Sequence, residues 1–150
     1  MTPEQKKLTI KMGESLRKAR RSCAMQQKEL AELSGLSVYS ISNYEKGITR
    51  PRLDAALFIA DALEMSLEEV FTGSKVPFRK KVMSYTDIGH SMRMCRRAHR
   101  LTMENLSGKT GIAMHVLHRC ETGAAFSTMD SFIIITSHLG VTIDEYIGRV

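Results

Sequence analysis

The chain has 150 residues, of which 43% are hydrophobic and 25% charged. This is enough for one ordinary core or for two small cores of about 65 residues each. The formal net charge of +6 favours a polyanionic partner over one with an acidic surface. The longest apolar run, residues 132–135, is far too short for a membrane span, and the polar start lacks a signal peptide's apolar stretch. We therefore expect a soluble, cytoplasmic protein without a membrane partner.

The cysteines give no sign of a disulfide framework or a metal centre. Cys23, Cys95 and Cys120 form no CxxC pair, and an odd number suits a reducing compartment. We interpret them as small core residues and expect no metal and no cofactor.

Apolar spacing and cap residues predict short helices along the first half of the chain. Residues Met12, Leu16, Ala19 and Cys23 recur every three or four positions, which indicates an amphipathic helix. The segment QQKELAEL predicts a second helix that ends at Ser34-Gly35. A third helix starts at Ser37, whose hydroxyl can cap it, and stops at Gly47.

Two more helices complete this half. The stretch LDAALFIADAL after Pro51 predicts a fourth helix. The residues from Ser66 to Glu69 fit the S/T-x-x-E capping box, which predicts a short fifth helix. No segment alternates in the manner of a strand.

The second half repeats the first. A shift of 76 positions aligns residues 12–73 with 88–149 without a gap, and 13 of the 62 pairs are identical, against about four expected from ordinary composition. The identical pairs are Gly13/Gly89, Ser15/Ser91, Arg17/Arg93, Arg20/Arg96, Arg21/Arg97, Leu30/Leu106, Gly35/Gly111, Glu45/Glu121, Gly47/Gly123, Asp54/Asp130, Ile59/Ile135, Leu63/Leu139 and Glu69/Glu145. We interpret the halves as two copies of one unit.

The stretch QKELAELSGLSVYSISNYEKG resembles the Cro/repressor-type (XRE family) helix-turn-helix proteins. The resemblance implies an all-α fold of two tandem five-helix, lambda-repressor-like domains. We expect a DNA-binding domain at 8–73, a basic linker at 74–84 and a second, diverged domain at 85–150. In the first domain, 26–34 would support a reading helix at 37–45 that enters the major groove.

The predicted DNA contacts lie on and around that reading helix. Because Ile41 belongs to the core, the outward positions, and hence the candidates for base reading, are Ser37, Val38, Tyr39, Ser42 and Asn43. The side-chain amide of Asn43 can form hydrogen bonds with adenine N6 and N7. The alternative is that Asn43 is only a solvated polar residue near the helix end. The resemblance makes Gln27 a phosphate ligand, and Arg50 and Arg52 would hold the backbone, with a merely solvated loop as the alternative.

The resemblance also implies a structural ion pair in each repeat. Arg20 and Glu45 are 25 residues apart, as are Arg96 and Glu121. Each pair would tie the first helix to the end of the third.

The second repeat differs where contacts are expected. Met103 replaces Gln27, Ala113 replaces Ser37, and residues 126–128 replace Arg-Pro-Arg. Its possible contact residues are Met114, His115, His118 and Arg119. Apolar surface at Met114, Phe126 and Met129 favours dimerisation or partner binding over independent DNA reading. Metal binding by the histidines with Cys120 is disfavoured, because Cys120 should point inward.

These patterns together predict a sequence-specific DNA-binding transcriptional regulator, a repressor, that binds double-stranded DNA as a homodimer and is not an enzyme. The alternative is a protein-interaction or antitoxin-like inhibitor module that uses helix-turn-helix folds as a scaffold.

Overall fold

A computed structural model describes all 150 residues of the protein. It contains ten α-helices and no β-strand. The helices are α1 Pro3–Ser22, α2 Gln27–Ser34, α3 Val38–Glu45, α4 Leu53–Leu63, α5 Leu67–Thr72, α6 Tyr85–Ala98, α7 Met103–Thr110, α8 Met114–Thr122, α9 Met129–Leu139 and α10 Ile143–Tyr146. The predicted all-α class is confirmed. None of the helices combines the length and apolar character needed to cross a bilayer.

The chain divides into two compact units. The first contains residues 1–79 together with 128–130, and the second contains residues 80–127 together with 131–150. Helices α1 to α5 build the first unit. The segment from 74 to 84 contains no helix.

Helix α1 begins earlier than the apolar spacing of the sequence indicated. It starts at Pro3 because Thr2 forms a capping box with Gln5. The Thr2 hydroxyl accepts from the Gln5 amide at 3.1 Å, and Gln5 Oε1 accepts from the Thr2 amide at 2.9 Å. These two bonds satisfy amide groups that the first turn would leave without partners.

Each unit buries its own apolar core. The fully buried side chains of the first unit include Leu16, Leu30, Ile41, Leu53, Ile59 and Leu67. Those of the second unit include Met92, Leu106, Phe132, Ile143 and Tyr146. Burial raises the pKa of the Tyr146 phenol, and the nearby Glu121 carboxylate raises it further.

The turn between α2 and α3 is short because both helix ends are fixed locally. Gly35 takes a left-handed φ of 74°, and its amide donates to the Ala31 carbonyl at the end of α2. Ser37 then caps α3, its hydroxyl accepting from the Ser40 amide at 3.0 Å. A glycine tolerates this φ without the strain that a Cβ brings.

Two apolar residues expected at the surface of the second repeat are buried. Phe126 is 5% exposed and Met129 is fully buried. The Phe126 ring packs edge-on against Tyr85, with ring centroids 4.9 Å apart. Met129 opens α9, as the buried Leu53 opens α4. The prediction of apolar surface was therefore wrong at Phe126 and Met129, and only Met114, at 48% exposure, fits it.

Candidate nucleic-acid interface

The outer face of α3 presents side chains that the fold does not use. Tyr39 is 77% exposed and Val38 is 44% exposed, whereas Ile41 on the opposite face is fully buried. Ser42 is half-buried. Ser37 is exposed, but its hydroxyl is engaged in capping the helix. Two large side chains therefore stand out from an eight-residue helix whose other side is fixed in the core.

Asn43 sits near the end of α3, and its side chain is half-buried. Its backbone carbonyl accepts from the Ile48 amide at 3.0 Å, which folds the following loop back over the helix end. The side-chain amide has no hydrogen-bond partner within the chain. Both its donor and acceptor are therefore available to an external group, as pairing with an adenine edge requires.

The orientation of α3 is fixed by a buried ion pair with α1. Arg20 Nε lies 2.6 Å from Glu45 Oε2, and Arg20 Nη2 donates to Glu45 Oε1 at 2.9 Å. The two side chains are 9% and 2% exposed. The hydrogen bond to Glu45 raises the pKa of the Arg20 guanidinium, more than burial lowers it. Arg20 Nη1 also donates to the Met25 carbonyl at 2.7 Å, so one guanidinium joins α1, the following turn and α3.

Gln27, at the start of α2, is tied to the same carboxylate. Its Nε2 donates to Glu45 Oε1 at 3.1 Å. The bond holds the amide at a helix N-terminus, where the backbone N-H groups favour an anion. Gln27 is thus placed by the residue that also orients α3.

Gly13 is a further part of this framework, and its spacing in the sequence did not predict this role. A Cβ at this position would meet the Tyr44 carbonyl oxygen and would lie 2.7 Å from the Glu45 carbonyl oxygen. Only a residue without a side chain lets α1 approach the end of α3 so closely. In the sequence, only the identity of Gly13 and Gly89 in the two repeats indicated that this position matters.

The arginines of the loop between α3 and α4 differ in their surroundings. Arg52 is exposed, precedes α4 and has no side-chain partner. Arg50 Nη1 lies 2.8 Å from Asp130 Oδ2, within the first compact unit. Arg52 is the freer of the two for an external anion, since Arg50 already has a carboxylate partner.

A cavity of about 320 Å³ lies between α3 and this loop. Its lining includes Tyr39, Asn43, Tyr44, Arg52 and Asp54. Burial raises the pKa of the Tyr44 phenol, and the Asp54 carboxylate raises it further. The cavity therefore places the Asn43 amide and the Arg52 guanidinium together on one side of the exposed face of α3.

The second unit has the same ion-pair arrangement without the glutamine. Arg96 Nε lies 2.7 Å from Glu121 Oε2, and Arg96 Nη2 donates to Glu121 Oε1 at 2.9 Å. Arg96 Nη1 donates to the Leu101 carbonyl at 2.8 Å. Met103 occupies the position of Gln27 and supplies no donor to Glu121.

The outer face of α8 differs from that of α3. Met114, His115, His118 and Arg119 are exposed, as the helical spacing predicted. Ala113 precedes the helix without a side-chain cap bond. Cys120 is 3% exposed and points into the core, away from these histidines. The structure contains no group of three metal-ligating side chains placed to hold an ion.

Comparison with solved structures finds a similarity to the restriction-modification controller protein C.AhdI from Aeromonas hydrophila. The sequences are 33% identical, the match covers 42% of this chain and 96% of that protein, and the TM-score is 0.41.

Two replication factor C small subunits share sequence similarity with about half of the chain. The replication factor C small subunit of Thermococcus kodakarensis is 31% identical over 86 residues, which are 57% of this chain and 10% of that protein. The replication factor C small subunit of Methanocaldococcus jannaschii is 29% identical over 82 residues, which are 55% of this chain and 4% of that protein. The chain thus spans only a small part of these relatives.

The family model of helix-turn-helix proteins matches residues 16–70. This segment runs from the middle of α1 into α5 and contains the Arg20–Glu45 pair, the Gly35 turn and the exposed face of α3. The chain therefore contains one helix-turn-helix domain, over residues 16–70.

Proposed function

We propose that the protein is a sequence-specific DNA-binding transcriptional regulator that reads the major groove with α3 and represses by occupying its operator. The observation that carries the proposal is the free face of α3, with an unpartnered Asn43 amide beside the exposed Tyr39, inside the matched segment 16–70. The net charge of +6 suits the phosphate backbone.

In the proposed recognition, one group of residues contacts bases and another contacts phosphates. Asn43 would bond an adenine edge, and Val38 and Tyr39 would pack on thymine methyl groups. Gln27 and Arg52 would bind phosphates and so fix the register of α3 on the duplex. None of these side chains belongs to the buried core.

Asn43→Ala should relax the preference at one base position, at a cost of about 1 to 3 kcal/mol of discrimination. A library of duplexes, starting with DNA upstream of the protein's own gene, gives the parent's preferred sequence. Mobility shifts on single-base variants of that sequence then measure the discrimination. Asn105→Ala is the matched control, because Asn105 is exposed on α7 outside residues 16–70.

The outcomes separate the proposal from its alternatives. If Asn43→Ala and the parent discriminate equally at every position, Asn43 takes no part in reading. If the parent prefers no sequence at all, the regulator proposal is wrong, and the inhibitor module remains as the explanation of the free face.

We also propose that the active species is a homodimer. Helix α3 has eight residues, about 12 Å, which spans only about three to four base pairs. The second unit lacks the cap and the glutamine of the first at Ala113 and Met103. Two copies of the first unit would supply the specificity that one lacks.

The dimer requires a palindromic operator with half-sites about 10 base pairs apart, centre to centre. Light scattering of the protein bound to its preferred duplex should give two chains per complex. One chain on an asymmetric site would show instead that a single chain binds without a second copy.

A further inference from the structure

Two arginine pairs are the only exposed side chains that the two repeats share. Most of the 13 identical pairs are core residues, ion-pair residues, caps or turn glycines. Apart from the glycine pair Gly35/Gly111, only Arg17/Arg93 and Arg21/Arg97 are exposed in both units. The rest of the surface differs widely between the repeats, so these arginines call for a physical reason.

Contacts within the fold do not explain why both repeats have these arginines. Arg20, Arg50 and Arg96 each form an ion pair with a carboxylate. The guanidiniums of Arg17, Arg21, Arg93 and Arg97 have no hydrogen-bond or ion-pair partner within the chain. Cations in a last helical turn stabilise the helix dipole, which applies to Arg21 and Arg97. It does not apply to Arg17 and Arg93, which lie further from the helix ends.

The arginines lie beside the face of their helix that packs on α3 or α8. Gly13 marks that face in α1, where it lies against the end of α3. At 3.6 residues per turn, Arg17 is rotated by about 40° from Gly13, and Arg21 by about a further 40°. In the second unit Gly89 lies against the end of α8 in the same way, since a Cβ there would be 2.5 Å from the Glu121 carbonyl oxygen. Arg93 and Arg97 follow Gly89 at the same spacing.

We infer that both units bind backbone phosphates of double-stranded DNA with this arginine pair on their first helix, so that the second unit contacts DNA without reading its bases. The inference rests on the proposed function. Two guanidiniums one turn apart and free of carboxylates complement a row of phosphates, which arginine binds through paired N-H groups. Met103 at the position of Gln27 removes the side chain proposed to fix the register, and Ala113 at the position of Ser37 removes the helix cap, but the arginine pair stays in place.

The test is the salt dependence of binding to duplex DNA of random sequence. Each phosphate contact contributes about 0.9 to the slope of log affinity against log salt concentration. The full chain with Arg93→Gln and Arg97→Gln should therefore lose about two from the parent's slope between about 50 and 200 mM salt. Arg17→Gln with Arg21→Gln should lose a similar amount.

A matched control removes two other cations. Lys7→Gln with Lys109→Gln changes the net charge equally, and both lysines are exposed and without partners. This variant should keep the parent's slope to within one. Melting temperatures equal to the parent's show that all three variants are folded.

The possible outcomes distinguish the inference from the function on which it rests. If the variant at positions 93 and 97 keeps the parent's slope while the parent prefers a sequence, the inference is wrong and the regulator proposal stands. If the slopes fall as expected but no sequence is preferred, the phosphate contacts stand and base reading is wrong. If the parent binds no duplex at about 50 mM salt, both are wrong.

Discussion

Replacing Glu45 by alanine is expected to lower the free energy of unfolding by about 3 to 5 kcal/mol. The carboxylate is 2% exposed and accepts from Arg20 twice and from Gln27 once. Its removal leaves the Arg20 guanidinium, at 9% exposure, without its counterion. An unpaired buried charge costs more than the pair contributed, because the desolvation of the remaining ion is no longer offset.

Thermal and urea unfolding of the full chain measure the loss. Glu14→Ala is the matched control, because Glu14 is exposed on α1 and should change stability by no more than about 0.5 kcal/mol. A Glu45→Ala midpoint within about one degree of the parent would mean a loss well under 1 kcal/mol. The bonds around Glu45 would then not stabilise the fold.

Gly13→Ala is expected to destabilise the first unit by about 1 to 3 kcal/mol or more, although alanine is the better helix former. The new methyl group would lie 2.7 Å from the Glu45 carbonyl oxygen and closer still to that of Tyr44. Both obstacles are backbone atoms, so a rotamer change cannot relieve the clash. Relief requires α1 and α3 to separate, which stretches the bonds between Arg20 and Glu45.

Gly108→Ala is the matched control: the same substitution is expected to raise the stability where Gly13→Ala lowers it. Gly108 lies within α7, and a Cβ there would meet no atom within 4 Å. Alanine should therefore stabilise this helix by about 0.5 to 1 kcal/mol. Equal unfolding midpoints for the two variants would contradict the close contact of α1 with α3.

Local signals in the sequence were enough to predict the helices and their main boundaries. The S-G-L-S stretch at 34–37 contains both the left-handed residue and the cap that separate α2 from α3, and each acts within a few residues of itself. The start of α1 was missed, although Thr2 and Gln5 have the spacing of a capping box. Its signal lay outside the apolar pattern that defined the helix.

Contacts between distant segments were harder to predict. Phe126 stands at the position of Arg50 and was therefore expected at the surface, but its ring packs against Tyr85, 41 positions earlier. The bond from Gln27 to Glu45 joins two helices and has no local signature. The sequence predicted that the Ser37 hydroxyl caps α3, but only the structure shows that the Asn43 side-chain amide has no partner within the chain.

The bonds that set the angle of α3 in the first unit all come from residues outside its exposed face. Hydrogen bonds from Arg20 and Gln27 to Glu45 fix the end of the helix, and Gly13 lets α1 approach it closely. The side chains at positions 38, 39, 42 and 43 contribute no hydrogen bond. Substitutions at these four positions are therefore nearly neutral for folding. Natural selection can alter them one at a time without first acquiring a compensating change, so relatives with equally stable folds can diverge rapidly in the ligand they recognise.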